Sequence, residues 1–350
     1  MLNARTKKSN IYQFDTIFEN TLFLEKDVSP RIPVFRMSSA PFCSLKSIFE
    51  WYDYVNNVGT WSFRGDFYTG IGKAVHSMLQ KWIPISAPAQ ILGHWRCLHC
   101  CKNKYLDECS NCTKNCKYFI PASVGPQICK TCGNSMVYQE FQYLLPNVPV
   151  SGHSDGILLY DIYTTLGINK INTNSISNIN KLLREMEFTA YILEYKTTSK
   201  NKALYINTPI THHKAQATLY ASAAHVLLKK YNLNLDIKGS IIKYISRESP
   251  DIRSRDFIVD IDNDFYKYNI NMVKRTIKAI LKDKTIIFPK KLPCSKEANY
   301  SMYYTDCPYT SICNEVESNK KTLNTIFEKI RKPFIKSLKE FKSIREKSGY

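Results

Sequence analysis

The sequence predicts an α/β protein, and three observations carry that reading. Short runs of β-branched and aromatic residues alternate with amphipathic segments of helical period along most of the chain. At 350 residues and 44% apolar composition, the chain can bury a sizeable core, as one large domain or a domain with insertions. No sequence pattern recurs at the periods of about 20 to 50 residues that mark solenoids and propellers.

Taken in order, residues 1–35 form a weakly patterned arm, and 36–290 hold the core. "SSAPFCSLKSIFEWYDYV" (Ser38 to Val55) reads as a helix with Ser39 near its cap and Pro41 in its first turn. "DFYTGIGKAVHSMLQKW" (Asp66 to Trp82) reads as a second helix, ended by Pro84 and Pro88. Residues 94–135 contain eight of the twelve cysteines and little apolar periodicity, the pattern of a metal-stapled insert. "MVYQEFQYLLPNVPVSGHSDGILLY" (136–160) reads as two strands joined by the turn "PNVP". Residues 163–181, rich in Asn, Ile and Lys, read as a flexible excursion. A strand from Phe188 to Lys196, a helix from Thr211 to Lys230, strands in "SIIKYISRE" and "DFIVDID", and a helix over 263–283 complete the core. A segment over 291–316 carries three further cysteines, and 317–350 forms a basic helical tail.

The formal net charge of +19, with an isoelectric point near 9.3, attracts polyanions, of which nucleic acid is the usual one. A generally basic proteome gives the same figure, so charge alone does not decide the partner. The N-terminus lacks an apolar stretch of signal-peptide length and no run approaches a membrane span, so the expectation is a soluble cytoplasmic protein that does not engage a membrane. In a reducing compartment, twelve cysteines argue for metal rather than disulfides.

Two acid-x-Lys pairs raise the question of chemistry. Glu340-Phe341-Lys342 lies in "FIKSLKEFKSIREK", where Phe334, Ile335, Leu338, Phe341 and Ile344 recur at helical spacing, so its charges are expected in solvent. Glu194-Tyr195-Lys196 lies in a strand-like run, where period two sends Glu194 and Lys196 to one side and Leu193 and Tyr195 to the other. Charges projecting together from an apolar strand need a reason.

Four stretches supply one: "GKAVH" (72–76), "GHSDGIL" (152–158), "LEYK" (193–196) and "QATLY" (216–220). Their order resembles the RecB-like branch of the PD-(D/E)XK nuclease superfamily, over roughly residues 38–313. The resemblance implies a restriction-endonuclease-like core, a mixed central sheet flanked by helices, and one site built from His76, Asp155, Glu194, Lys196, Gln216 and Tyr220. Phosphodiester hydrolysis needs a cation to polarise the phosphoryl oxygen and acidify water, and hard oxygen ligands suit magnesium or manganese. The implied ligands are His76, Asp155, Glu194 and the backbone carbonyl of Tyr195, with Lys196 stabilising negative charge and Gln216 and Tyr220 orienting it or touching DNA. Glu140 matches an acidic position sometimes found upstream of the Asp in this branch and is a secondary candidate. His153, His212 and His213 lie near the motifs and are read as supporting or DNA-facing groups. Taken singly, each residue has a bland reading: His76 as a structural histidine, Asp155 as a turn residue, Gln216 and Tyr220 as an ordinary helix face.

The cysteines divide in two. "CLHC" (97–100) and "CKTCG" (129–133) read as two zinc knuckles, with Cys97, Cys100, Cys129 and Cys132 as ligands. Between them, Cys101, Cys109, Cys112 and Cys116 have the makings of a second zinc site, with His94 or His99 as substitutes. The insert either grips DNA or a partner, or pins a long loop. The remaining Cys43, Cys294, Cys307 and Cys313 resemble the four-iron four-sulfur clasp of AddB-type and CRISPR-associated exonucleases, which use one cysteine before the core and three after it. Here twelve residues separate Cys294 from Cys307, where the family has a short gap; zinc or simple buried thiols are the competing readings.

The sequence thus predicts a metal-dependent DNA nuclease, a single-strand exonuclease in recombination, repair or phage and mobile-element processing, working beside a helicase or recombinase. It carries no Gly-x-x-x-x-Gly-Lys-Ser/Thr motif of its own. The alternatives are a structure-specific endonuclease and a non-catalytic nucleic-acid-binding module with a vestigial site.

Overall fold

The strand that carries Glu194 and Lys196 organises the molecule. A computed structural model describes residues 35–38, 44–56, 63–100, 119–167, 173–249, 251–282 and 309–348. In chain order its elements are β1 (Phe35–Arg36), α1 (Ser44–Asn56), α2 (Phe63–Ser86), β2 (Ile91–Arg96), β3 (Phe119–Val124), β4 (Val137–Gln139), β5 (Phe141–Leu144), β6 (Val150–Ser154) and β7 (Gly156–Leu159). There follow α3 (Ile162–Leu166), α4 (Thr173–Glu185), β8 (Phe188–Thr198), α5 (Lys200–Tyr205), α6 (Thr211–Tyr231), β9 (Leu235–Ser246), β10 (Phe257–Asp260), α7 (Asn263–Lys282), α8 (Thr310–Ser318) and α9 (Lys320–Ser348).

A mixed sheet runs in the order β10-β9-β8-β7-β2-β3, with β4 also paired to β2, and a smaller sheet runs β1-β6-β5. β8 lies parallel to β9 and antiparallel to β7. It separates two apolar clusters, because alternate residues face opposite ways: Ile192 belongs to the main core, Leu193 to a second cluster with Trp95, Cys97, Cys129 and Tyr138. Helix α6 lies on the main-core side, where Ala221, Ala223 and Ala224 are buried, while Ala217 packs in a third cluster with Ile242 and Tyr244; their small size lets the helix lie close to the sheet. Helix α2 reaches the other cluster through Ile83.

Three sequence expectations change. The α2 helix runs through Pro84 to Ser86 rather than ending before it; a proline two residues from the end removes one hydrogen bond of the last turn, and Ala87 N–H still donates to Ile83 O at 2.8 Å. Much of the expected excursion is helical: in α4, Ile176, Ile179 and Leu183 are buried at i, i+3 and i+7, a stripe that the polar composition conceals. The two strands expected over 136–160 are four, broken at Glu140 and Asp155. At each break the chain crosses from one sheet to the other. The β5–β6 hairpin around the "PNVP" turn forms as expected, with Leu145 N–H donating to Val150 O at 3.0 Å.

The boundary residues also sharpen. Phe35, placed in the arm, pairs with Val150 in the small sheet. β3 and the end of β2 fall within the 94–135 insert, yet both are strands of the large sheet, so the described part of the insert is continuous with the core. Helix α1 begins at Ser44, and the proposed cap Ser39 and Pro41 lie outside the described residues. The tail packs by its apolar stripe: Phe334 is fully buried, with Trp51 4.7 Å and Phe35 5.9 Å away between ring centroids. Among the described residues, no helix is long and apolar enough to cross a membrane.

Candidate active site

The strand break at Asp155 meets β8. Asp155 N–H donates to Leu193 O at 3.2 Å, and Tyr195 N–H donates to Asp155 Oδ2 at 2.6 Å. This places the aspartate directly beside the strand bearing Glu194. Its backbone carbonyl accepts from Tyr138 Oη at 2.8 Å, so both the main chain and one carboxylate oxygen are fixed.

Helix α2 supplies the opposite wall. His76 Nδ1–H donates to Asp155 Oδ1 at 3.0 Å. One turn on, Gln80 lies on the same helical face. Its Nε2 donates to Asp155 Oδ1 at 3.4 Å and, in a short contact, to Glu140 Oε1. The ligand atoms of His76, Glu140 and Asp155 lie within 4.8 Å of one another.

A second file of polar groups leads into the core. Lys196 Nζ donates to Glu194 Oε1 at 2.5 Å and to Gln216 Oε1 at 3.0 Å. Gln216 Nε2 donates to Tyr220 Oη at 2.8 Å, both residues being buried on α6 one turn apart. Tyr220 stacks on Tyr143 with ring centroids 5.2 Å apart, and Tyr143 Oη lies 3.2 Å from Ser154 Oγ. Gly152 makes room for this arrangement, since a Cβ there would stand 2.6 Å from the Tyr220 ring. The ammonium is therefore aimed by a carboxylate and by an amide that is itself held from behind.

Burial and charge set the protonation states. Glu194 is 4% exposed; burial pushes its carboxyl up to about 7, the charge of Asp155 adds to this, and Lys196 and His76 oppose it. Its Oε2 has no hydrogen-bond partner among the described residues. For His76, burial works against the charged form, but the hydrogen bond and charge of Asp155 outweigh it and raise the imidazole above its ordinary value. At the start of α6, burial and the positive charges of Lys196, Lys46 and Lys202 push His212 down to about 4. Burial and Lys196 also drive His213 well below the ordinary imidazole range, and its Nδ1 lies 2.9 Å from Tyr244 Oη. Both histidines are thus held neutral near Lys202, and His212 also near Lys46, which pairs with Glu50 at 4.0 Å.

The six candidate residues of the four motifs fall in one connected site: His76, Asp155, Glu194, Lys196, Gln216 and Tyr220. The Tyr195 side chain packs in the second apolar cluster, leaving its backbone to the site. Glu140, a secondary candidate by sequence, joins the His76–Asp155 group, whereas Glu194 is drawn toward Lys196. Sequence reasoning missed Gln80, whose signal is its position four residues after His76, and Tyr138, which nothing local betrays. His153 is exposed on the small sheet.

Cys97, Cys100, Cys129 and Cys132 form a separate group that could hold a metal ion. His94 has other partners: its Nδ1 accepts from Ala122 N–H at 3.0 Å, Nε2 lies 3.4 Å from Tyr231 Oη, and burial keeps it neutral, pushing it down to about 3. Cys101, Cys109, Cys112 and Cys116, like Cys43, Cys294 and Cys307, lie outside the described residues. Cys313 is buried in the main core, and Tyr309 just before it meets Phe49 of α1 at 5.7 Å between rings.

Compared with protein-family models, with curated proteins and with solved structures, the chain matches none.

Proposed function

We propose that the chain is a metal-dependent DNA nuclease built on a restriction-endonuclease-like core. The observation that carries this reading is the meeting, at the start of β7 and the middle of β8, of three carboxylates, an imidazole and an amide-held ammonium. Structural ion pairs do not need this arrangement: it groups Glu140 and Asp155 with His76, sets Glu194 in the field of Asp155, and leaves one buried Glu194 oxygen without a hydrogen bond among the described residues.

The donor set fits a hard divalent cation. Oxygen ligands on one magnesium ion stand at most about 4.2 Å apart, twice a bond of about 2.1 Å, and the 4.8 Å grouping of His76, Glu140 and Asp155 is close to that span. Asp155 and Glu194, with His76, Glu140 and the Tyr195 carbonyl around them, would hold magnesium or manganese. When bound, such an ion supplies charge neutralisation at the phosphoryl group and a lowered pKa for water. The chain's own residues do the rest. Lys196, held by Gln216, presents its ammonium beside the carboxylates, where it stabilises negative charge developing on the phosphate. Tyr220 and Tyr143 keep Gln216 from rotating, and Gln80 keeps Glu140 and Asp155 together. Lys46 and Lys202, whose charges reach His212, receive the flanking phosphates, in keeping with the net charge of +19.

Single-stranded DNA with a free end is the substrate we favour, in recombination, repair or phage DNA processing with a helicase or recombinase partner. The test is digestion of end-labelled linear DNA, single- and double-stranded, and of single-stranded circles, with magnesium, manganese or chelator. Metal-dependent trimming of linear strands, abolished by Lys196→Ala, is the expected result. Cleavage of circles turns the reading to an endonuclease, and cleavage unaffected by Lys196→Ala removes that residue's role. The burial of Cys313 where the C-terminal segment meets α1 supports an iron-sulfur clasp with Cys43, Cys294 and Cys307. Iron and acid-labile sulfide in anaerobically purified protein test it, and zinc alone rejects it.

A further inference from the structure

The four-cysteine group lies behind the catalytic strand. Its sulfurs are spaced for one tetrahedral ion: Cys97 and Cys132 stand 3.5 Å apart, Cys100 and Cys129 3.9 Å, and all four fall within 4.8 Å. Thiolates at about 2.3 Å from a tetrahedral zinc are about 3.8 Å apart, whereas a disulfide requires about 2.05 Å. The backbone is already turned as a knuckle. Cys100 N–H points at Cys97 Sγ over 3.4 Å, Gly133 N–H donates to Cys129 O at 2.9 Å, and Gly133 takes a φ of +73° that favours glycine.

Cys97 and Cys129 are buried in the apolar cluster that contains Trp95, Met136, Tyr138 and Leu193, with Tyr195 packed against it. Leu193 and Tyr195 alternate with Glu194 and Lys196, so the cluster backs the strand whose other face carries the chemistry. Two further connections leave the cluster. Trp95 meets Tyr138 edge-on at 5.6 Å, and Tyr138 Oη holds the Asp155 carbonyl. The segment from Cys132 runs directly through β4 into Glu140.

We propose that Cys97, Cys100, Cys129 and Cys132 bind a structural zinc ion whose knuckles brace β8 from behind and set the position of Asp155 against Tyr195. The ion ties the end of β2 to the lead-in of β4, and Trp95 and Tyr138 pass that constraint to the aspartate. The consequence for cleavage rests on the nuclease reading, but the readouts below do not use cleavage; failure of the digestion experiment leaves them interpretable.

The experiment compares the full chain with Cys100→Ser and Cys132→Ser, by zinc content, by the thiolate-to-metal charge-transfer band after cobalt substitution, and by hydrogen exchange. Each variant should lose one equivalent of zinc relative to the unaltered chain, together with the cobalt band. Exchange across residues 193–196, including the Tyr195 amide bonded to Asp155, should quicken at least about tenfold while β10 and α9 keep their protection. Unchanged zinc content overturns the metal site. Zinc loss with unchanged exchange at 193–196 overturns the brace, as does an equal loss of protection throughout the chain, which would make the ion a general folding element.

Discussion

Glu194-Tyr195-Lys196 and Glu340-Phe341-Lys342 have the same spacing and opposite fates. In β8, residues two apart project together, so Glu194 and Lys196 meet at 2.5 Å with the carboxylate 4% exposed. In α9, residues two apart diverge by about 200° around the axis. Glu340 turns instead to Lys336, four residues back, at 3.9 Å, and Glu340 and Lys342 are both exposed. A sequence motif acquires chemistry only from the period of the element that displays it. The burial of Glu194 makes its charge costly and therefore available to a cation, whereas the charge of Glu340 is already satisfied by water.

The largest effect should separate the two lysines. On the proposed nuclease reading, Lys196→Ala should lower single-turnover cleavage by about 10²–10⁴-fold, and Lys342→Ala should leave it unchanged. Equal effects would erase the distinction. In α9 the apolar stripe carries the stability instead: Phe334→Ala should cost about 3–5 kcal/mol in denaturant unfolding, because it empties the contact with Trp51 and Phe35. Third comes Gln80, which touches the carboxylates without being one. Gln80→Ala should weaken manganese binding about 10- to 100-fold by calorimetry, while Gln80→Glu, which replaces the bridging donor by another charge, should not rescue it.

The smallest effect concerns pH. Glu194 and His76 both bind protons more tightly in the folded than in the unfolded chain, so the folded state holds more protons from about pH 5 to about pH 8. Their contribution to the stability of the metal-free protein therefore falls as pH rises through that window. Magnesium should reverse the slope, since a cation replaces the protons. The melting temperature with chelator, followed from about pH 5 to about pH 8 in the unaltered chain and in Glu194→Gln, measures this; a slope indifferent to the substitution removes Glu194 as its source.

Much of this site was legible because its residues sit on regular elements. The strand period of 188–198 and the helical spacing from Gln216 to Tyr220 name faces, and named faces can be matched. What could not be read depends on distant chain. Gln80 becomes a site residue only when Glu140 and Asp155 arrive opposite it, and Tyr138 only when β4 pairs with β2 and turns its hydroxyl toward Asp155. The strand breaks at Glu140 and Asp155 were hidden for a related reason. The run 136–160 keeps the composition of strand throughout, and the change of partner sheet leaves no local mark. The helix over 173–185 was concealed by its Asn content although Ile176, Ile179 and Leu183 carry the period.

The crossings at Glu140 and Asp155 have a mechanical meaning. Each carboxylate is anchored by one neighbour in the large sheet and one in the small sheet, so the two acids are carried on a common bearing between two slabs. Asp155 is also bound to β8 through Leu193 O and the Tyr195 amide, so a relative shift of the two sheets would act first on Glu140 and change its distance from Asp155. Gly152, where the small sheet touches Tyr220, is a point at which such a slip can be forced. A Cβ there would stand 2.6 Å from the Tyr220 ring and 3.0 Å from Met37 Cβ, so Gly152→Ala should displace the small sheet, and Glu140 with it, relative to Asp155.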